Sequence, residues 1–290
     1  LGQTLFEVSW EIANKVGGIH TVVSTKAQTM VAEKGDNYVC IGPWLMFDEQ
    51  GGQPFDDEPG FEPLIDSCRE LGVPIRVGRW RIPGRPRTIL VEFSGLYEHK
   101  DQVLAELWER FHVDSLFGGW EYIEPLMFGH ACGIVIEQFW QEFVAPYHHD
   151  AVAQFHEWMS ASGALYIKHN RPSIGTVFTA HSTALGRVLS STGQSPTQGL
   201  AGQSPEELAE AFGMRSVHSL EGVAARECDV FSTVSEVTAR RPSSFTTARR
   251  HPSSPTASTS MSSRRWRGPS SGTKRGASCW ISPVASTERT

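Results

Sequence analysis

His181 stands directly after the apolar, β-branched run Thr176-Val177-Phe178-Thr179-Ala180. A strand followed at once by an imidazole is how an open parallel sheet delivers a side chain to the rim of a cleft. From that rim the ring could hydrogen-bond a sugar hydroxyl or a phosphate oxygen, and Arg187 in the next segment could reach the same ligand. The competing reading is a histidine that only fixes its own loop. Phe155-His156-Glu157-Trp158 sets two ionisable groups between large aromatics, at the junction of a strand and a helix. Glu157 at a helix start would accept backbone N–H bonds and stay ionised. His156 is either a ligand contact or a donor that fixes a neighbouring loop. Lys15-Val16-Gly17-Gly18-Ile19 precedes a helical stretch. Paired glycines permit close backbone approach, the helix start offers N–H groups to a phosphate or sugar oxygen, and Lys15 adds positive charge. The stretch has neither the GxGxxG nor the GxxxxGK[ST] spacing, so an ordinary turn with an exposed lysine stays open beside the phosphate reading.

These groups need strands and helices to position them. Residues 5–12 begin as a short apolar strand, and residues 19–33 form a helix with Ile19, Val22, Val23 and Met30 on its buried stripe. Residues 38–43 and 88–93 read as strands, and 48–60 as an acidic, glycine-rich loop. Helices are predicted around 64–71, over 98–121 and over 123–144, and another begins near Glu157 and is interrupted at Gly163. Thr176–Thr179 is a strand. Ser204-Pro205-Glu206-Glu207 opens a helix with a capping serine, a first-turn proline and carboxylates at the positive end. Residues 216–227 are helical and 229–235 close the series as a strand and its exit loop. Strands alternating with helices predict an α/β fold with a mostly parallel sheet, whose ligands gather beyond the carboxyl ends of its strands.

Composition divides the chain near Arg240. Residues 241–290 hold 33 Ser, Thr, Pro or Arg among 50 residues, with no Leu and no Asp, and nine basic groups against the single acidic Glu288. The preceding 240 residues carry 17 basic and 31 acidic groups. The first segment can bury a core. The second has too little apolar surface to offset its own ordering, and disorder is expected there, as a natural basic tail or as the product of an altered reading frame. An acidic body argues against broad binding to nucleic acid or anionic lipid, while leaving room for a local basic pocket. No run of apolar residues is long enough to span a membrane. The five cysteines, Cys40, Cys68, Cys132, Cys228 and Cys279, are dispersed, without a CxxC or Cys/His cluster. That pattern reads as reduced thiols of a cytoplasmic protein. No metal set is evident, since His148, His149 and Asp150 have no partner ligand elsewhere in the sequence. A GxSxG nucleophile elbow is absent as well.

Taken together, these motifs resemble those of glycogen synthases of the fungal and animal type (glycosyltransferase family 3). The resemblance is carried by Glu7, Asn14, Lys15-Val16-Gly17-Gly18-Ile19, Ile41-Gly42-Pro43, Gly78-Arg79-Trp80, Phe155-His156-Glu157-Trp158, Thr179 to Arg187, Glu221, Ala224-Ala225 and Asp229 to Thr238. It covers nearly all of residues 1–240 and none of the tail. It implies a Rossmann-like amino-terminal domain, residues 1–240, of a two-domain GT-B glycosyltransferase, followed by the disordered 241–290 tail. It further implies retaining transfer of glucose from UDP-glucose to the non-reducing end of an α-1,4-glucan. UDP-glucose is then the donor substrate and no separate cofactor or metal is needed; full-length relatives would be homo-oligomers. By motif position Lys15, Gly17, Gly18 and Arg187 map to the donor phosphate side, His156 and Glu157 to the acceptor, and His181 with Glu157 to the catalytic centre. The family's Asn-Gly loop and second nucleotide-binding domain do not follow Arg240, and residues 193–214 look shortened. The resemblance thus implies a first lobe with little or no turnover of its own; a non-catalytic glucan-binding domain or a nonfunctional truncated product are the alternatives.

Overall fold

A computed structural model of the chain describes residues 3–45, 53–191 and 203–234. The compositionally distinct segment 241–290, with its expected disorder, lies outside the described residues, as do Ser235 to Thr238 and all of 193–202.

Eight strands form one sheet among the described residues, in the order β3-β4-β5-β2-β1-β6-β7-β8. They are β1 (Thr4–Val8), β2 (Tyr38–Pro43), β3 (Phe55–Asp57), β4 (Ile75–Trp80), β5 (Arg87–Val91), β6 (Ala151–His156), β7 (Gly175–Ala180) and β8 (Val230–Thr233). From β5 through β8 every neighbouring pair is parallel; β3 and β4 are added antiparallel at one edge. The helices are α1 (Gly18–Lys34), α2 (Glu62–Glu70), α3 (Lys100–Phe111), α4 (Trp120–Phe139), α5 (Trp158–Asn170), α6 (Ala184–Ser191), α7 (Pro205–Ala211) and α8 (Arg215–Glu227). The result is the predicted α/β, Rossmann-like sheet.

β1, β2, β6 and β7 are buried along their whole lengths. Two-sided burial explains why their sequences read as continuous apolar runs rather than alternating ones. One face packs Phe6, Val8, Val39, Ile41, Phe155 and Phe178 with residues of α4, α5 and α8. The other packs Leu5, Tyr38, Cys40 and Val152 against Ile19, Val23, Ala27 and Met30 of α1. Chain order reverses on either side of β1: β2 lies to one side and β6 to the other. The crevice beyond the ends of β1 and β6 is therefore a topological switch point, the place where such sheets bind ligands.

Several expectations change. The 48–60 region holds the short strand β3 in its described part. The segment 98–121 is not one helix: α3 stops at His112, whose left-handed φ of 57° ends it, and α4 starts at Trp120. Gly163 does not interrupt α5, which runs through it. A Cβ there would lie 2.3 Å from the Gly129 carbonyl oxygen, so this glycine exists for the close crossing of α4 and α5. The α7 cap is as read: the Ser204 hydroxyl accepts from Glu207 N–H at 3.1 Å and the Glu207 carboxylate accepts from Ser204 N–H at 2.7 Å.

Candidate functional site

His156 is the last residue of β6, His181 follows β7, and both strands end at the same edge as β1. The His156 Nδ1 and His181 Nε2 atoms lie 2.9 Å apart. The other nitrogen of His156, Nε2, sits 2.8 Å from Oε1 of Glu7, the last residue but one of β1. Lys26 of α1 reaches the same oxygen at 2.5 Å, and the Tyr38 hydroxyl donates to the second carboxylate oxygen. Glu7 is fully buried. Burial alone would raise its pKa, but Lys26 and His156 outweigh it and hold the carboxyl at about 2. Burial, with His156 and Lys26 beside it, holds His181 down at about 3, so its ring is neutral at neutral pH. A row of four side chains, Lys26, Glu7, His156 and His181, thus runs from α1 across three adjacent strands to the crevice.

Glu157 sits beneath the loop after β7. One of its oxygens accepts from the backbone N–H groups of His181 at 2.7 Å and Ser182 at 2.9 Å. The other meets the Arg187 guanidinium at 3.0 Å. The expectation that Glu157 caps the helix it opens is corrected: it makes no side-chain cap on α5 and holds the neighbouring loop instead. Its side chain is fully buried, and burial raises its pKa in spite of Arg187 and the two N–H donors. Its backbone adopts φ 63° and ψ 168°, a region populated almost entirely by glycine. A non-glycine residue kept there at a cost marks a position that the surrounding structure over-determines.

A second buried carboxylate, Glu221 of α8, accepts from Ala184 N–H at 3.1 and 3.2 Å. Burial, and then the charge of Glu157, push its pKa to about 8. Residues 181–187 are therefore pinned from below by two carboxyl groups, Glu157 paired with Arg187 and Glu221 held largely protonated near neutral pH. Arg187 remains half exposed beside the crevice.

The glycine loop leaves the end of β1. Lys15, Gly17 and Gly18 are exposed. The helix start they were expected to offer is already engaged: Glu11 Oε2 accepts from Gly17 N–H at 2.9 Å and His20 N–H at 2.8 Å. A Cβ on Gly17 would lie 2.7 Å from the Glu11 carboxylate, whereas one on Gly18 would meet nothing within 4 Å. Gly17 lies against the carboxylate that holds its loop, and Gly18 is the position with open space around it. Lys15 bears on His20, whose pKa is lowered first by burial and then by that lysine. His156, Glu157, His181 and Arg187 form one connected set.

Sequence reasoning assigned no role to Glu7, Glu11, Lys26, Tyr38 or Glu221. Glu7 does carry a signal, an acidic residue inside the apolar strand Leu5-Phe6-Glu7-Val8, since a buried carboxylate demands partners. Glu11, Lys26 and Tyr38 carry none. Among the described residues no group of three or more His, Cys, Asp or Glu could hold a metal ion. No helix among them is long and apolar enough to cross a membrane.

The chain is 34% identical over 239 residues to a glycogen [starch] synthase of Neurospora crassa, covering 81% of this chain and 33% of that protein. It is 31% identical over 239 residues to the liver glycogen [starch] synthase of Homo sapiens, with the same coverage of 81% and 33%. The chain therefore spans about a third of the length of these curated relatives. Among solved structures, a UDP-forming α,α-trehalose-phosphate synthase of Burkholderia xenovorans aligns at TM-score 0.42 and 12% identity over 83% of this chain and 42% of that one, a likeness too loose to argue from. The family model described as glycogen synthase matches residues 7–256, running past Arg240 into the segment of altered composition, where no resemblance was expected. With that match over most of its length, the chain belongs to the glycogen synthase family.

Proposed function

We propose that this chain supplies the acceptor-side lobe of a retaining glycosyltransferase of family 3, one that moves glucose from UDP-glucose to the non-reducing end of an α-1,4-glucan. The observation that carries the reading is the His156–His181 pair at the switch point, tied to Glu7 behind it and anchored by Glu157 beneath it. Departure of UDP develops negative charge on phosphate while the anomeric carbon becomes cationic. Preorganised groups aimed at those charges lower the barrier because they need not reorganise as the reaction proceeds. In this reading His181 orients the transferred sugar, and Arg187 and Lys15 offset phosphate charge. Gly18 lets the phosphate approach the backbone. Glu157 holds the loop that presents His181, and the acceptor contact proposed for it passes through that loop, since its own oxygens are buried and engaged.

Sugar transfer of this kind needs an opposing lobe that closes over the donor and excludes water. The purified 290-residue chain is therefore expected to retain α-glucan on an affinity gel while releasing little or no UDP from UDP-glucose. A radiolabelled transfer assay run beside the binding measurement tests this. Robust turnover would overturn the one-lobe reading, and absence of glucan binding would overturn the acceptor-side assignment.

A further inference from the structure

We infer that Glu7 and His156 are positioning residues that set the tautomer of His181, placing its ring proton on Nε2 and making its Nδ1 a hydrogen-bond acceptor. The argument starts at the buried end. Glu7 is ionised and can only accept, so His156 must carry a proton on Nε2, where it faces Glu7 Oε1 at 2.8 Å. Its Nδ1 then has two options. Were His156 a cation, Nδ1–H would donate to His181 Nε2. A second positive charge would then sit on the oxygen that Lys26 already holds at 2.5 Å, with the carboxylate also receiving Tyr38. Glu7 is balanced by Lys26 and Glu157, the acidic neighbour of His156, by Arg187, so a further buried cation would exceed the negative charge around it. His156 is therefore neutral, its Nδ1 accepts, and across 2.9 Å the donor is His181 Nε2–H. A neutral imidazole with its proton on Nε2 has its lone pair on Nδ1.

The consequence for a ligand rests on the sugar-transfer reading. A group meeting His181 Nδ1 must itself donate, which a sugar hydroxyl does and an ionised phosphate oxygen cannot.

Nitrogen-15 spectra of the histidine rings in the full chain at neutral pH read the tautomers directly, without any activity. Both His156 and His181 are expected as Nε2–H tautomers. A His181 protonated on Nδ1, or a doubly protonated His156, would overturn the inference. Lys26→Met leaves the Glu7 charge unmatched and should draw a proton onto His156, moving the His181 proton to Nδ1. Glu7→Gln removes the charge and should leave His181 a mixture of tautomers. Unchanged rings in either folded variant would remove the positioning role, and if a variant fails to fold, the parent spectrum still decides. Failure to bind glucan would remove the sugar reading while leaving the tautomer assignment intact, so the two can fail separately.

Discussion

Glu157 combines full burial, a glycine-type backbone conformation and three hydrogen-bonded partners in one residue. Its two costs can be separated. Glu157→Ala and Glu157→Gly both delete the carboxylate, but only glycine relieves the φ of 63°. The alanine variant is expected to be less stable than the glycine variant by about 1–3 kcal/mol, read from urea midpoints; equal midpoints would show that the backbone is unstrained. Two further buried carboxyl groups, Glu7 and Glu221, give opposite pH dependences. Glu7 is depressed to about 2 in the folded chain from an ordinary 4.5. Its contribution is present above pH 4.5 and is lost as pH falls toward 2. That loss is on the order of 3 kcal/mol. Glu221 is raised to about 8, so below pH 4.5 both folded and unfolded forms are protonated and nothing is lost. As pH rises from 4.5 to 8 the unfolded chain ionises and the folded one does not, and stability falls. Glu221→Gln keeps an acceptor for Ala184 N–H and should flatten that decline in a thermal-melt series between pH 5 and 8. A slope as steep as the parent's would assign the decline to other groups.

At the scale of elements, the site depends on how closely α4 and α5 cross under β6. Added methyl groups would meet the Gly129 carbonyl at 2.3 Å from Gly163, and Ser162 Oγ at 2.4 Å from Gly129. The obstacle at Gly163 is backbone and cannot swing aside. Gly163→Ala is expected to cost about 1–3 kcal/mol or more by overpacking, with a matching fall in melting temperature. Because α5 begins directly after Glu157, the same change should weaken glucan retention beyond what lost folded fraction explains. A Gly163→Ala variant as stable as the parent would show that the helices separate freely. In the sequence this glycine looked like a helix breaker, and only the crossing partner reveals its purpose. Most other elements were readable because their signals are local: β-branched runs for β2 and β7, and serine, proline and glutamate for the start of α7. The edge pair β3 and β4 was less legible, since short antiparallel strands are stabilised by the neighbours they pair with.

For the whole molecule, the described residues form one sheet with a site at its switch point, and the chain spans about a third of the length of its curated relatives. The proposed transfer chemistry needs charge stabilisation on the phosphate side, and the described groups that offer it, Arg187 and Lys15, are exposed in this lobe. A second lobe docked over this crevice would desolvate them and strengthen their interactions with phosphate. Supplying the remainder of a full-length relative as a separate polypeptide is therefore expected to raise UDP release above that of this chain alone. Unaltered release in the mixture would count against a shared cleft.

By itself the sequence determined the α/β class, the strands that end at the crevice and the family, and it singled out two histidines and an arginine that the structure brings together around Glu157. These follow from patterns a few residues long, in which each residue is informed by its neighbours. Tertiary structure decided what those residues do to one another. Glu7, Lys26, His156 and His181 are far apart in the chain, and only the strand order β1-β6-β7 makes them a row. Glu157 reads as a helix cap and becomes a loop anchor because β7 ends beside it. Hydrogen bonds between strands paired in parallel join residues separated by whole helices, and no local pattern records which strand will lie alongside which.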